Sequence, residues 1–143
     1  MQNTCDFFAY GTLQIPEVMR AVTRADFLAQ PARIEGYARY RLNGLPYPGL
    51  RAQAGLSADG ILYRQVDAAA LHRLDAFEDD FYRRECLQVR LESGALVMAW
   101  VYVIPPDHYG RLLREPWDLD EFRRTALPGF IARCETILTQ VIA

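Results

Sequence analysis

Two strand-like stretches in this chain are separated by only three residues. Residues 82–91 alternate between apolar and polar side chains, and residues 95–104 are rich in β-branched and aromatic residues. Glu92, Ser93 and Gly94 between them predict a hairpin turn. A connection this short joins antiparallel neighbours, because a parallel crossover needs a dozen residues or more. The chain is therefore expected to contain hairpins rather than a doubly wound parallel sheet.

The remaining elements can be placed by the same patterns and by their breakers. The predicted segments are strands over 7–10, 33–42 and 60–66, a helix from Pro16 to about Arg24, a second helix capped by Asp67, and a loop over 43–49. After Pro105 and Pro106, residues 107–143 are helical in character, with Pro128 dividing two helices. The order β-α-β-β-α-β-β with helices appended predicts an α+β fold.

Composition narrows the functions that such a domain can have. The 143 residues suit one domain, and 51% hydrophobic with 24% charged residues is typical of a globular protein. A net charge of −2 offers no basic field, so nucleic-acid binding is not expected. All 16 basic residues are Arg, and the lack of Lys excludes Schiff-base chemistry and a phosphate-loop lysine. The only serines, Ser57 and Ser93, lie in turn-like segments, which argues against a serine hydrolase.

The cysteines and the N-terminal residues predict a cytoplasmic protein. Cys5, Cys86 and Cys134 are odd in number and far apart, so no disulfide framework is expected. The first residues are neither basic nor apolar, unlike those of a signal peptide. The longest apolar run, residues 95–104, is much shorter than the ~20 residues of a membrane helix. We therefore expect no association with a membrane.

Histidine chemistry has little support in the sequence. His72 and His108 show no metal-ligand spacing with each other or with a cysteine, so no metal site is expected. A cysteine–histidine nucleophile pair stays open, although three structural cysteines are the simpler interpretation. Carboxylates, tyrosines and backbone amides remain as the groups that could carry a reaction.

Glu78 is a carboxylate in an apolar helical stripe. At about 100° per residue, Leu71, Leu74 and Glu78 share the face of the second helix that should meet the core. Burial would disfavour the charged carboxylate and raise the pKa of Glu78 toward neutral pH, where it could exchange protons. The pattern therefore makes Glu78 a candidate general acid and base.

A purely structural placement of Glu78 stays open. In this alternative the helix ends at Phe77, and Glu78 turns to solvent or pairs with Arg83 or Arg84. A second candidate feature is the junction Tyr-Gly-Thr-Leu at residues 10–13, where a strand ends before a helix begins. Backbone N–H groups at such a junction can hold an anion or a carbonyl oxygen, although an ordinary turn would look the same.

Six short sequence motifs lie within residues 6–104. They are FAYGTL at 8–13, GYARY at 36–40, YPGL at 47–50, GILY at 60–63, LDAFE at 74–78 and YRR at 82–84. Together they resemble the gamma-glutamylcyclotransferase-like family, in particular its short gamma-glutamylamine cyclotransferase branch. The resemblance implies a small mixed β-barrel with flanking helices and a pocket at one end.

The resemblance also implies roles for individual residues. The residues that match the family's substrate-binding loop are Tyr10, Gly11, Thr12 and Leu13. Glu78 matches the proton acceptor, and Tyr82 matches a tyrosine that follows this acid and is a further pocket candidate. The implied reaction is an intramolecular aminolysis of a gamma-glutamyl amine or peptide that releases 5-oxoproline, with a small-molecule substrate and no metal or other cofactor.

This chain departs from the family pattern in two places. Asp79 and Asp80 follow Glu78 where the family often has glycine, and the added negative charge should raise the pKa of Glu78 further. The helical tail lies outside the matched blocks, so we expect one domain over 1–143, with a barrel over 6–104 and a helical extension over 105–143. The tail could cover the pocket, pack on the barrel or form an oligomer interface.

Three other functions compete with the enzyme. The same pocket could hold a small amino-acid derivative without reacting with it, which would make the protein a binding module. The helices over 107–143 could dock a partner, or a cysteine could serve a hydrolase. The sequence leaves open which gamma-glutamyl compound is used and which oligomeric state the protein adopts.

Overall fold

The computed structural model describes the backbone of residues 4–142 and the side chains of residues 4–134. Its strands and helices follow one another in the predicted order. The strands are β1 (Thr4–Ala9), β2 (Ala29–Arg41), β3 (Pro48–Asp67), β4 (Arg83–Leu91) and β5 (Leu96–Val103). The helices are α1 (Pro16–Thr23), α2 (Ala68–Phe77), α3 (Leu119–Thr125) and α4 (Leu127–Ile142), with 3₁₀ helices at Thr12–Gln14 and Pro106–Arg111. The predicted α+β fold is confirmed.

The five strands form one sheet that closes on itself. Their spatial order is β1-β3-β2-β4-β5, and β5 returns to β1 in a parallel pair at Phe7 and Trp100, so that the sheet is a closed barrel. The other strand pairs are antiparallel. The predicted hairpin is present, since β4 and β5 pair from Arg83 with Val103 to Arg90 with Leu96. Closure leaves no long unpaired edge.

The core has two layers that meet at β1. Phe8 is buried with Leu62 and Val101 inside the barrel, while Phe7 is buried in a second cluster with helix residues. Neighbouring residues of a strand point to opposite faces, so β1 contributes to both clusters. The apolar run at 7–10 therefore marks a strand that is covered on both sides.

Strand β3 corrects the sequence prediction. A short strand was expected over 60–66 and a loop over 43–49, but β3 begins at Pro48 and continues to Asp67. Its middle is polar and glycine-containing, with Gly55 at φ 85°, so it lacks the apolar pattern that predicts a strand. Pairing with β2 over this length supplies the hydrogen bonds that the local sequence does not indicate.

Glycine 60 is where β3 passes closest to β1. A Cβ placed on Gly60 would lie 2.2 Å from the carbonyl oxygen of Ala9 and 2.7 Å from the Phe8 ring. Only a residue without a side chain allows this approach. The contact fixes the end of β1, and therefore the loop that follows it.

The C-terminal helices pack against the barrel-flanking helices. Two helices are present near Pro128 as predicted, but the break between α3 and α4 falls at Ala126, and Pro128 lies in the first turn of α4, where a missing N–H costs nothing. Phe122 and Phe130 are buried in the same cluster as Phe7. Within residues 4–142, none of the helices is both long and apolar enough to cross a membrane.

Candidate active site

A cavity opens at one end of the barrel, where four parts of the chain meet. The loop after β1, the start of β3, the C-terminal end of α2 and the first two turns of α4 surround a volume of about 100 Å³. Its lining residues are Phe7, Phe8, Ala9, Tyr10, Gly11, Thr12, Leu13, Tyr47, Pro48, Phe77, Glu78, Asp79, Tyr82, Tyr102, Phe130, Arg133 and Cys134. All six residues predicted for the site are among them. A cavity lined by apolar side chains with a few polar groups is the usual form of a small-molecule site.

Glu78 reaches this cavity by a route that periodicity did not predict. Helix α2 ends at Phe77, and Glu78 is its C-terminal cap, with an extended backbone (φ −72°, ψ 144°). The helix therefore does not carry Glu78 on its apolar stripe, and the structural alternative was right about the helix end. It was wrong about the side chain, because Arg83 pairs with Glu85 and Arg84 pairs with Asp75. Glu78 is half-buried and lines the cavity.

The surroundings of Glu78 favour its neutral form. Burial raises the pKa of the Glu78 carboxyl from 4.5 to about 8, and the charges of Asp79 and Asp75 add to the shift. Within residues 4–134, no side chain or backbone group donates a hydrogen bond to this carboxyl. A carboxyl with a pKa near neutrality is suited to take up and release a proton.

Asp75 lies one turn before Glu78 on α2 and is stabilised by partners instead. Its carboxylate accepts a hydrogen bond from the Tyr102 hydroxyl at 2.6 Å and from Arg84 at 2.9 and 3.2 Å. The Arg84 guanidinium in turn lies over the Trp100 ring, 4.2 Å from its centre. Two carboxylates three residues apart are thus in different environments, one paired and one directed to the cavity.

The loop at residues 10–13 lines the same cavity and has unpaired backbone donors. Gln14 N–H and Ile15 N–H donate to the carbonyl oxygens of Gly11 and Thr12. In the described part of the chain, the N–H groups of Gly11, Thr12 and Leu13 donate to no acceptor, as expected at the start of a helical turn. These donors can bind a carboxylate or a developing oxyanion.

This loop is held firmly by its neighbours. The Tyr10 carbonyl oxygen accepts from Gln14 Nε2 at 2.8 Å and from Arg39 Nη1 at 2.9 Å. The Tyr63 hydroxyl donates to the carbonyl oxygen of Leu13 at 2.6 Å. Bonds at both ends keep the loop in one conformation, so its donors are aligned before any ligand arrives.

Gly11 lies in close contact with the start of β3. Gly11 has an ordinary negative φ of −121°, so no left-handed conformation requires it. A Cβ at this position would lie 3.0 Å from the Pro48 ring, which is tighter than most such contacts. Glycine therefore lets the loop pack against the first residue of β3.

The hydroxyl groups of the cavity tyrosines donate hydrogen bonds to other groups of the protein. The Tyr10 hydroxyl donates to the carbonyl oxygen of Tyr102 at 2.5 Å, and the Tyr82 hydroxyl donates to that of Pro48 at 2.7 Å. Burial raises the pKa of both phenols well above the usual value. Tyr10 and Tyr82 therefore form walls of the cavity rather than acids that titrate near neutral pH.

Several lining residues were not found from the sequence, because they come from distant segments. Asp79 lines the cavity and accepts a hydrogen bond from the Tyr47 hydroxyl, whereas Asp80, which is exposed like Asp79, does not line the cavity. Arg133 of α4 is the other charged residue that was missed. The signal for Asp79 was its place next to Glu78, and Tyr47 belongs to the block YPGL at 47–50, while nothing local singles out Arg133.

The cavity does not bring a cysteine and a histidine together as a nucleophile pair. Cys134 is buried and lines the cavity, but neither His72 nor His108 is a lining residue. His108 lies instead near the Phe81 ring and accepts a hydrogen bond from Arg111. Among the described side chains, no three His, Cys, Asp or Glu residues come together in a group that could hold a metal ion.

The fold and the cavity together define a class of protein: a small closed β-barrel with a half-buried carboxyl group facing a glycine-containing loop. Within that class, the chain belongs to the family described as "Gamma-glutamyl cyclotransferase, AIG2-like", whose model matches residues 7–119. The resemblance seen in the sequence blocks is thereby confirmed. Membership of this family supports cyclotransferase-type activity in general.

Relatives and solved structures agree with this assignment. Protein AIG2 C of Arabidopsis thaliana is 31% identical over 129 residues, which cover 87% of this chain and 75% of that protein. A solution structure of an Arabidopsis thaliana protein has a TM-score of 0.72 at 26% identity, covering 96% of this chain and 84% of the other. An AIG2-like protein from Mus musculus has a TM-score of 0.63 at 27% identity, covering 81% and 86%.

A fourth comparison concerns the fold alone. A solved structure named gamma-glutamyl cyclotransferase has a TM-score of 0.64 and covers 93% of this chain and 87% of its own. Its sequence identity to this chain is 12%, so the shared architecture says nothing about individual side chains.

Proposed function

We propose that this protein is a gamma-glutamylcyclotransferase in which Glu78 is the general acid and base. Its substrate is a gamma-glutamyl amine or peptide, and its products are 5-oxoproline and the released amine. One observation carries the proposal: a carboxyl with a pKa of about 8 and the unpaired N–H groups of Gly11, Thr12 and Leu13 line one cavity. Tyr10 and Tyr82 contribute walls of the substrate site.

The reaction needs no nucleophile from the protein. The substrate's α-amine attacks its own γ-carbonyl carbon, and a new C–N bond closes a five-membered ring. The pocket has to hold the extended side chain in a folded conformation. Orienting two groups in this way is worth an effective concentration of about 10⁵ M or more.

Glu78 balances the protons of this reaction. Its carboxylate takes a proton from the attacking amine as the tetrahedral intermediate forms. The same proton then passes to the departing nitrogen, the C–N bond to the leaving amine breaks, and Glu78 returns to its carboxylate form. A pKa near 8 is close to the pH at which an enzyme works, which is the condition for efficient acid–base catalysis.

The loop at residues 10–13 binds the negatively charged groups of the substrate. Its unpaired N–H groups can bind the substrate's α-carboxylate or the oxyanion of the tetrahedral intermediate. Both are acceptors for backbone donors, and the bonds from Arg39 and Tyr63 hold the donors in place beforehand. Such alignment is what gives donors of this kind their catalytic effect.

The direct test is Glu78→Gln, which keeps the shape of the side chain and removes the base. We expect 5-oxoproline release from gamma-glutamyl compounds to fall by about 10²- to 10⁴-fold in kcat, with substrate binding kept. Glu92→Gln, at an exposed turn residue, is the matched control and should leave kcat unchanged.

Two results would contradict the proposal. Full activity in Glu78→Gln would remove this residue from the mechanism. A wild-type protein that binds gamma-glutamyl compounds in calorimetry but never releases 5-oxoproline would be a binding module instead of an enzyme.

A further inference from the structure

Among the side chains of residues 4–134 that line the cavity, Arg133 is the only cation. The chain has no Lys, and the other lining residues that carry charge are the acids Glu78 and Asp79. Arg133 belongs to α4, beyond the stretch 7–119 that the family model matches. The tail of this chain therefore adds a positive charge to a pocket that is otherwise acidic.

The packing of α4 fixes which of its faces meets the cavity. Phe130, Arg133 and Cys134 are spaced at i, i+3 and i+4, so they lie on one face of the helix, and all three line the cavity. Phe130 is buried and packs edge-on against the rings of Tyr47 and Phe77. This aromatic contact fixes the position of α4 against the cavity, and it therefore fixes the position of Arg133 one turn further along the helix.

The Arg133 guanidinium has no carboxylate partner in the described part of the chain. None of the seven ion pairs among the described side chains includes Arg133. Asp79, the other acid that lines the cavity beside Glu78, accepts a hydrogen bond from Tyr47 instead. The positive charge of Arg133 lowers the pKa of the Tyr47 phenol against the stronger effects of burial and Asp79. The charge of Arg133 is therefore felt at Tyr47, on the same wall of the cavity.

An exposed, unpaired guanidinium at the mouth of an acidic pocket suits a carboxylate, which it can bind through two parallel hydrogen bonds. Within the cavity, Thr12 and Leu13 are buried and Glu78 is half-buried, whereas Arg133 is exposed. The reacting end of a gamma-glutamyl compound has to reach Glu78, which leaves the exposed Arg133 for its departing part. The unpaired N–H groups of the loop at 10–13 are available for the carboxylate of the glutamyl end.

We propose that Arg133 binds a carboxylate on the departing amine, so that the substrates are gamma-glutamyl amino acids or peptides rather than neutral gamma-glutamyl amines. This inference rests on the proposed function, and it makes Arg133 a specificity-determining residue. It assigns the choice among gamma-glutamyl compounds to α4 of the tail.

Two compounds that differ by one carboxylate test this assignment. In gamma-glutamyl-alanine the departing amine is alanine, and in gamma-glutamyl-ethylamine it is the same amine without the carboxylate. We expect wild-type kcat/KM to be about 10- to 100-fold higher for the first, as one charge-assisted hydrogen-bonded pair supplies. Arg133→Gln should lose that preference by lowering kcat/KM for the first compound alone, and Arg133→Lys should keep part of it.

Arg124→Gln is the matched control, since it removes one positive charge from an exposed position of α3 that does not line the cavity. Arg124→Gln should leave kcat/KM unchanged for both compounds. Equal losses on both compounds in Arg133→Gln would overturn the proposal, because they would place Arg133 at the glutamyl end or in the packing of α4. An unchanged preference in Arg133→Gln would overturn it as well.

Binding measurements separate this proposal from the reaction itself. Calorimetry with Glu78→Gln should show tighter binding of gamma-glutamyl-alanine than of gamma-glutamyl-ethylamine, and the double variant Glu78→Gln/Arg133→Gln should bind the two equally. If wild-type protein releases no 5-oxoproline from either compound, the proposed reaction fails while this difference in affinity still supports Arg133. Equal affinities in Glu78→Gln would overturn the role of Arg133, whatever the activity.

Discussion

The charge of Asp79 helps to keep its neighbour Glu78 protonated near neutral pH. Burial contributes most of the rise in the pKa of Glu78 to about 8, and Asp79 contributes the largest charge effect. Asp79 is itself placed at the cavity by the hydrogen bond that it accepts from Tyr47. Two consecutive acids therefore have different roles, because one is bonded to the protein and the other is not.

A pH profile should show this coupling. The base form of Glu78 is the carboxylate, so we expect kcat/KM to rise about tenfold per pH unit below the pKa and to level off above about 8. Asp79→Asn removes one charge that raises this pKa, and the rise should then occur at lower pH. The measurement is the initial rate of 5-oxoproline release between pH 5 and 10 at low substrate concentration.

Asp80→Asn is the control for that shift. Asp80 is one residue further from Glu78 in the sequence, and unlike Asp79 it does not line the cavity or act on the pKa of Glu78. Its profile should coincide with that of the wild type. A shift of the same size in both variants would mean that net charge, and not the placement of Asp79, sets the pKa of Glu78.

Glu78 should also reduce the stability of the folded protein at high pH. Its pKa is about 8 in the folded state and 4.5 in its ordinary environment, so unfolding releases a proton between these values. No penalty exists below pH 4.5, and stability is lost as the pH rises, until the loss is complete above pH 8. We expect Glu78→Gln to be more stable than the wild type by about 2 to 4 kcal/mol at pH 9 and to match it near pH 4.

Urea unfolding at several pH values measures this difference. Glu92→Gln replaces an exposed carboxylate and should follow the wild-type stability at every pH. A constant difference between Glu78→Gln and the wild type from pH 4 to 9 would argue against a raised pKa at this position.

The Tyr10 hydroxyl should matter for stability more than for the reaction. It donates to the buried carbonyl oxygen of Tyr102, and Tyr10→Phe leaves that oxygen without its donor. We expect a loss of about 1 to 2 kcal/mol in the free energy of unfolding, with activity per folded molecule kept. Tyr40→Phe removes a half-buried hydroxyl that bonds to Gln53 and should cost less. A large drop in kcat for Tyr10→Phe would instead indicate that this hydroxyl contacts the substrate.

The closest approach between β1 and β3 gives a prediction about the fold itself. Gly60→Ala would place a methyl group 2.2 Å from the Ala9 carbonyl oxygen, and we expect a loss of at least about 3 kcal/mol in the free energy of unfolding. Gly129→Ala adds a methyl group that meets nothing within 4 Å, inside helix α4, and should stabilise by about 0.5 to 1 kcal/mol. Chemical denaturation measures both, and similar effects of the two changes would contradict this packing.

Local sequence determined most of the elements of this protein. Pro16 and Asp67 mark the starts of α1 and α2, residues 92–94 mark the hairpin, and Pro128 marks the first turn of α4. Each of these signals depends on the preferences of a few neighbouring residues, so it can be recognised without knowing the rest of the fold. Strand β3 escaped recognition because its pairing with β2, and not its own composition, makes it a strand.

The sequence also singled out the residues that share the cavity, but tertiary structure decided how they meet. Glu78 lies there because α2 ends at Phe77 and the chain turns, and its pKa follows from burial that no periodicity can measure. Tyr47 and Arg133 join it from segments 31 residues before and 55 residues after it in the sequence. Contacts between such distant residues depend on the closure of the barrel and the docking of α4, and local patterns carry no information about either.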